Sequence, residues 1–234
     1  MLMMLGKGVS KGVVKGPLYF FKRQDNTITK YAVEDISAEK DRLAQAQEKA
    51  IRQLEVLAEK AREDAAVEAA ILFETHAMLI EDEDYVDCIQ SCLDKEQCNA
   101  EYAVLTAGEQ FAAMFAAMDD TCMQALASDI RDISHRLLNN LMGVAEGGID
   151  SDVPVILAAD DLAPSETIQL DKSKILGFVT RGGSSNSHTA ILARAMGIPA
   201  ICGLGSCLKN ELNNRLAYID GETGCLFLGP NEMT

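Results

Sequence analysis

Zinc-type cysteine spacing is missing from this sequence: its seven cysteines (88, 92, 98, 122, 202, 207 and 225) include no CxxC pair and have no histidine nearby. An odd count without metal-ligand spacing argues against a disulfide framework and a zinc site, and predicts reduced, buried thiols in a cytoplasmic protein. Cys88 and Cys92, one helical turn apart, are expected to share a packed face. No apolar run approaches the roughly 18 residues that a membrane span requires. The opening MLMML is too short for a signal-peptide core and has no basic residue ahead of it. No Walker A sequence and no G-x-S-x-G is present, so neither a phosphate-cradling P-loop nor a serine-nucleophile elbow is encoded. Glycines 6, 8 and 12 fall as GxGxxxG, one residue too long for a dinucleotide fingerprint and with no helix following; they suit turns and tight strands. Positive charge is scarce, with 21 basic against 36 acidic residues and a net charge of −15. That balance argues against nucleic acid and anionic membrane as partners.

What is present is a chain of 234 residues, 48% apolar and 24% charged, with length for one large domain or two ordinary ones and material for a packed core. The acidity is localised. Residues 34–142 hold 24 acidic and 9 basic residues, whereas the remainder holds 12 of each. The same segment reads as helix, and no proline occurs between Pro17 and Pro154. Behind an N-cap at Ser37, Leu43, Ala46, Ala50, Leu54, Leu57 and Ala61 recur at helical spacing. Leu72, Phe73, His76, Leu79 and Ile80 continue the period in a second helix, and Tyr85, Ile89, Cys92 and Leu93 in a short third. Asn99 is the expected cap of a fourth, with Ala103, Ala107, Phe111, Met114 and Met118 on one face. Ser128 is the expected cap of a fifth, through Ile130, Ile133, Leu137 and Leu141 to Gly143 as its C′ residue.

The flanks change character. Residues 9–21 read as strand broken by glycines, and VPVILAA (153–159), ILGFVT (175–180) and PAICG (199–203) as buried strands alternating with helices near 164–170 and 188–196. Residues 215–229 form a hairpin with Gly221 and Gly224 in its turn. An N-terminal hairpin alone is unstable in water, so the first thirty residues are expected to join the later sheet. The expected architecture is a discontinuous α/β domain (1–30 and 145–230) interrupted by an all-helical bundle (34–143).

The stretch GGSSNSHTAILARAMGIPA (182–200) turns from polar loop to apolar helix at His188. Asn186 and Ser187 are good helix caps. A helix beginning there exposes unpaired amides and partial positive charge, which suits a phosphoryl group, and a neutral imidazole in that place is a nucleophile. From the residues alone, a solvent-facing loop histidine is an equal reading.

The same run resembles the phosphohistidine signature of the enzymes that use phosphoenolpyruvate, G-G-x-T-S-H-x-x-I-x-A-R followed by an I-P-A strand. ADDLAPSET (159–167), FETHAMLIEDED (73–84) and SDIRDISHRLL (128–138) resemble the corresponding stretches of one branch, enzyme I of the bacterial sugar phosphotransferase system, over its N-terminal half. The resemblance covers essentially the whole chain. It implies a swivelling phosphohistidine domain carrying an inserted helical domain, with transferase activity. By that resemblance His188 would accept phosphate originating in phosphoenolpyruvate and pass it to the phosphocarrier protein HPr. Thr167 orients its ring, and Asn186, Ser187, Thr189 and Arg194 are the candidate phosphate contacts. The resemblance further implies that the helical insertion docks HPr, whose active surface is basic, with Glu68, Glu74, Asp82 and Asp84 expected to supply attraction, Met78 and Leu79 apolar contact, and Arg131 a further contact. The chain itself implies no metal and no cofactor. Magnesium and the phosphoenolpyruvate site are expected on a C-terminal barrel that this chain lacks, with a homodimer at full length and a monomer here.

The loop departs from the signature. Ser184 stands where a second glycine is usual, and Ser185 and Asn186 replace Arg-Thr, so an arginine is lost that Arg181 or Arg194 would have to replace. His76 on its apolar face is expected to pack, His135 to be solvated or interhelical, and Glu166 to be a cap or surface residue. Two other readings remain: a dikinase-type swivelling domain loaded by another donor, and a non-catalytic HPr-binding module.

Overall fold

The computed structural model describes residues 2–21, 27–63, 66–144, 151, 153–162, 172–183 and 187–229. The chain divides into two compact units: Met1–Gln24, Asp64–Ala69 and Gly147–Thr234 form one, and Asp25–Glu63 with Ala70–Glu146 the other.

In the first unit eight strands form one sheet: β1 (Leu2–Leu5), β2 (Lys7–Ser10), β3 (Val13–Phe20), β4 (Val155–Ala159), β5 (Ile175–Thr180), β6 (Ala200–Cys202), β7 (Leu216–Asp220) and β8 (Cys225–Leu228). Their order is β1-β8-β7-β3-β4-β5-β6-β2. Strands β3 to β6 run parallel, and the other pairings are antiparallel. Consecutive strands β1 and β2 pair with β8 and β6 at opposite ends of this order, so one N-terminal segment covers both edges of a curled sheet. Strand β1 has no counterpart in the sequence reading: within Leu2–Leu5 only Met4 is buried, between exposed Met3 and Leu5. The outer strand β2 fits because of glycine. A Cβ on Gly221 would lie 1.9 Å from the Ser10 carbonyl oxygen, and one on Gly8 2.3 Å from that of Gly221.

Every residue of β4 is buried, as befits a parallel strand covered on both faces. Leu18, Ile156, Val179, Ile201, Ile219 and Leu226 form the core on one side. On the other, Leu157, Phe178 and Ala200 pack with Ala193 and Ile198, brought in by the helix His188–Met196 and the turn after it. The helix expected near 164–170 lies outside the described residues.

The second unit is built from α1 (Ile36–Glu63), α2 (Val67–Ile80, whose first residues belong to the first unit), α3 (Glu83–Glu96), α4 (Ala100–Ala116) and α5 (Thr121–Met142). Two helix starts differ from expectation, because carboxylates sit further upstream than the expected caps. Asp35 accepts the Ala38 amide at 3.0 Å, which leaves Ser37 inside α1. Asp120 accepts the Met123 amide at 3.1 Å, and Ser128 lies mid-helix with its hydroxyl on the Ala125 carbonyl. Asn99 does stand at the N-cap of α4, but it makes no side-chain cap bond. Its side-chain oxygen accepts the Tyr31 amide and its amide group donates to Glu101. Gly143 ends α5 with φ +64°, as the C′ reading requires.

The buried stripe of α1 runs Leu43, Ala46, Ala50, Leu54, Ala58 and Ala61, with Ala58 in place of Leu57. On α4 the buried face drifts to Ala112 and leaves Met114 48% exposed. Helices α4 and α5 meet closely at Gly108, where a Cβ would lie 2.3 Å from Ser134 Oγ. Cys88 and Cys92 are both half-buried on α3, with the Cys88 thiol 3.6 Å from Gln110 Oε1.

Candidate functional site

His188 is the first residue of the nine-residue helix α6 (His188–Met196), which follows the loop leaving the C-terminal end of β5. In a parallel sheet this is where ligands bind, because the strand ends and helix N-termini converge there. Ser187 is the N-cap, in extended conformation, and its hydroxyl accepts the Ala190 amide at 3.4 Å. Gly197, with φ +65°, closes the other end.

The loop is fastened on two sides. From β4, Ala159 and Asp160 carbonyls accept the amides of Arg181 and Gly182 at 3.0 and 2.9 Å. From beyond β6, the amides of Gly203, Leu204 and Gly205 donate to the carbonyls of Gly182, Thr180 and Arg181. Gly183 adopts φ +90°, and a Cβ there would press on Ser187 Oγ at 3.1 Å. Below Ser187 lies buried Cys202, with Sγ 4.0 Å from Ser187 Oγ; burial pushes this thiol's pKa up.

Thr189 is fully buried, with its hydroxyl donating to Asp161 Oδ1 at 3.0 Å and lying 3.1 Å from the Leu162 carbonyl oxygen. Arg181 is taken up structurally: Nε donates to the Leu208 carbonyl at 2.5 Å, Nη2 to Asn210 at 2.6 Å, and Nη1 pairs with Asp160. Of the two arginines considered as replacements for the lost one, Arg194 is the half-exposed one on α6 itself, and it pairs with Glu68 at 3.3 Å. Thr167, Glu166 and Asn186 lie outside the described residues.

In the helical unit the expected docking residues are largely at the surface. Met78 is 71% exposed and Ile71, two turns earlier on α2, 56%. Glu81, Asp82, Glu83 and Asp84 are all exposed between α2 and α3. Asp82 also caps α3 by accepting the Tyr85 amide at 3.1 Å. Leu79 is half-buried, Glu74 pairs with Arg62, and Arg131 is 3.4 Å from Glu109.

The PEP-utilising enzyme N-terminal family model matches residues 5–125, and the PEP-utilising enzyme mobile-domain model matches residues 152–224. The chain belongs to the family of PEP-utilising enzymes. Among its curated relatives, the phosphoenolpyruvate-protein phosphotransferase of Priestia megaterium is 34% identical over 98% of this chain but 40% of its own length. That of Geobacillus stearothermophilus is 33% identical over 97% and 39%. The chain thus spans about two fifths of the length of the curated relatives it matches. Among solved structures, an NMR structure of Enzyme I (nEIt) aligns with TM-score 0.71 at 31% identity, over 99% of this chain and 94% of that one. The N-terminal domain of Enzyme 1 - Nitrogen aligns with TM-score 0.68 at 27% identity, over 97% and 94%.

Two features of the chain escaped the sequence reading. Ile71 sits in an apolar stretch indistinguishable from core, and only the rotation of α2 exposes it. His76 packs, as expected, but it packs as an ion. It is wholly buried, with Nε2 3.2 Å from Asp129 Oδ1 and Nδ1 3.3 Å from Asp132 Oδ2. Burial opposes its charge, yet hydrogen bonds and charge from the two aspartates raise its pKa to about 9. Asp129 and Asp132 stand three apart on α5, a spacing visible in the sequence but unassignable without knowing which helix faces α2. His135 is exposed, with Nδ1 3.3 Å from the Asn139 side chain. Among the described residues no helix is long and apolar enough to cross a membrane.

Proposed function

We propose that this chain is the phosphohistidine and carrier-docking portion of a phosphoenolpyruvate-protein phosphotransferase, acting in the cytoplasm in the relay of bacterial sugar uptake. The observation that carries the reading is the placement of His188 as the first residue of α6, at the C-terminal end of a parallel strand, within the matched mobile domain. A neutral imidazole nitrogen forms a bond to phosphorus as the bond from phosphorus to the donor breaks in line. The reverse step hands the phosphoryl group to HPr. The leading amides and positive end of α6 hold the phosphoryl oxygens, with Ser187 capping and Arg194 alongside, so that catalysis is positioning plus electrostatics. Thr167 orients the ring.

HPr docks on the helical domain, residues 34–143, through Glu68, Glu74, Asp82, Asp84 and Arg131 around the exposed apolar residues Met78, Ile71 and Leu79. The concentrated negative charge steers a basic carrier. The phosphohistidine domain is formed by residues 1–30 and 145–230. Neither nucleic acid nor membrane is a partner, and the chain alone is a monomer.

In this reading magnesium and phosphoenolpyruvate are bound outside these residues, in a full-length protein that is a homodimer. At the end of β4, Asp160 is paired with Arg181, and Asp161 is engaged by Thr189 and the Leu162 amide at 2.9 Å. Those carboxylates do not fit a magnesium ion, and no step here runs through one.

The test is incubation with phosphorylated HPr followed by peptide mapping under alkaline conditions. The reading predicts an acid-labile phosphoryl group on His188 and none on His188→Ala. Label persisting in that variant, for example on His76, contradicts it.

A further inference from the structure

We propose that Asp161 and Thr189 are a positioning pair for phosphoryl transfer: their hydrogen bond sets the direction in which His188 leaves α6. The proposal rests on the reading that His188 carries the phosphoryl group.

Helix α6 has only nine residues; its first turn is closed by the Ile191 amide on the Ser187 carbonyl at 3.0 Å, while the side-chain cap bond from Ser187 to Ala190 is long at 3.4 Å. The loop before it contains Gly183 at φ +90°, a conformation without side-chain restraint. The rotation of the first turn is therefore fixed by its first buried side chain, which is Thr189. Its hydroxyl reaches the Asp161 carboxylate at 3.0 Å, and the Leu162 amide and carbonyl groups lie 3.3 and 3.1 Å from the same oxygen. Asp161 in turn accepts the Leu162 amide at 2.9 Å, so the carboxylate is itself held by the backbone just beyond β4. A hydrogen bond to a carboxylate is among the stronger kinds, and here the donor hydroxyl of Thr189 is buried while the Asp161 carboxylate reaches it from an exposed position.

Successive helical side chains project about 100° apart around the axis. Pinning Thr189 toward the β4 end fixes the azimuth of His188. A nucleophile that must meet phosphorus in line is sensitive to that angle, because small misplacements cost large factors in rate. Docking of the carrier, by contrast, draws on the helical unit and is indifferent to it. A pair that served stability alone would change unfolding but leave the transfer rate of folded protein untouched.

The experiment measures transfer from phospho-HPr to this chain by rapid quench over a range of carrier concentrations, with circular dichroism to confirm folding. Thr189→Val, nearly isosteric but without the donor, is expected to slow the transfer step by roughly tenfold while the KM for phospho-HPr stays unchanged. Asp161→Ala should do the same, and the double variant should be no slower than the slower single one. Thr189→Ser keeps the hydroxyl and Asp161→Asn keeps an acceptor oxygen, so both should restore transfer to within about twofold of the parent rate. Ring resonances of His188 in NMR spectra should shift in Thr189→Val and return in Thr189→Ser. If Thr189→Val fails to fold, Asp161→Ala carries the same expectation. Folded Thr189→Val or Asp161→Ala with parental transfer rates and unshifted His188 resonances overturns the proposal. If the parent protein accepts no phosphate, the functional reading fails instead, and the His188 resonances alone then decide whether the pair positions the ring.

Discussion

In the helical unit the interior titratable groups close on one another, whereas in the sheet unit the polar groups gather where strands end. His76 lies between Asp129 and Asp132, and Arg42 between Glu39 at 2.7 Å and Glu101 at 2.6 Å. Glu39 also accepts the Ala100 amide at 2.7 Å, tying the start of α4 to α1. In the sheet unit Asp160, Asp161, Thr180 and Thr189 hold backbone and arginine around the loop that delivers His188. The two histidines are therefore set apart by their surroundings. The one with the strongly altered pKa is locked among helices, and the one placed for chemistry leads a short helix.

The sharpest way to break this comparison is to remove each histidine. His188→Ala should lose phosphoryl acceptance entirely while leaving the urea unfolding midpoint nearly unchanged, because the side chain is only half-buried. His76→Ala should do the reverse, leaving two buried carboxylates facing each other at a cost of about 3 kcal/mol or more, with His188 still labelled at temperatures where the protein is folded. Loss of labelling in folded His76→Ala, or a large destabilisation by His188→Ala, would erase the distinction.

Acidity sharpens it further. His76 has a folded pKa of about 9, above its ordinary 6.5, through hydrogen bonds and charge from Asp129 and Asp132 that outweigh burial. The contribution of its charged form to stability is therefore complete below about pH 6.5 and is lost as pH rises through about 9. Chemical unfolding at several pH values should show stability falling across that window, and His76→Gln should flatten the fall.

Glycine contacts differ between the units in a smaller but measurable way. Gly221→Ala drives a methyl against the Ser10 carbonyl oxygen, 1.9 Å away, where only backbone can move. Gly108→Ala meets the Ser134 side chain at 2.3 Å. The first should cost about 3 kcal/mol and the second about 1–2 kcal/mol in unfolding free energy. Equal costs would mean that the sheet edge yields as easily as the helix pair.

The smallest effect concerns steering. Asp84→Lys should slow HPr association several-fold at low salt, and the difference should shrink at physiological ionic strength, where charges are screened over about 8 Å. Asp84 is the cleaner choice because Asp82 also caps α3. A salt-independent rate in stopped-flow would count against electrostatic steering.

Strand and helix identities were legible where apolar period and turn glycines agreed: β5 occupies ILGFVT, Gly143 ends α5 and Ser187 caps α6. What escaped depended on neighbours distant in sequence. Strand β1 becomes a strand because β8 pairs with it. Asp35 and Asp120 outcompete Ser37 and Ser128 as caps, since a carboxylate upstream lengthens the helix at little cost. Thr189, expected as a phosphate contact, turns its hydroxyl inward onto Asp161 in the structure. The His76 ion cluster needed the facing of α2 and α5, which no local pattern encodes.

The measurement that tests the central division most directly supplies this chain alone with two donors in parallel, phospho-HPr and phosphoenolpyruvate with magnesium, and follows His188 by mass spectrometry. The account predicts labelling by phospho-HPr within minutes and none by phosphoenolpyruvate, since recognition of that trianion requires cations that this acidic chain does not gather. Rapid labelling by phosphoenolpyruvate, or none by phospho-HPr, would contradict it.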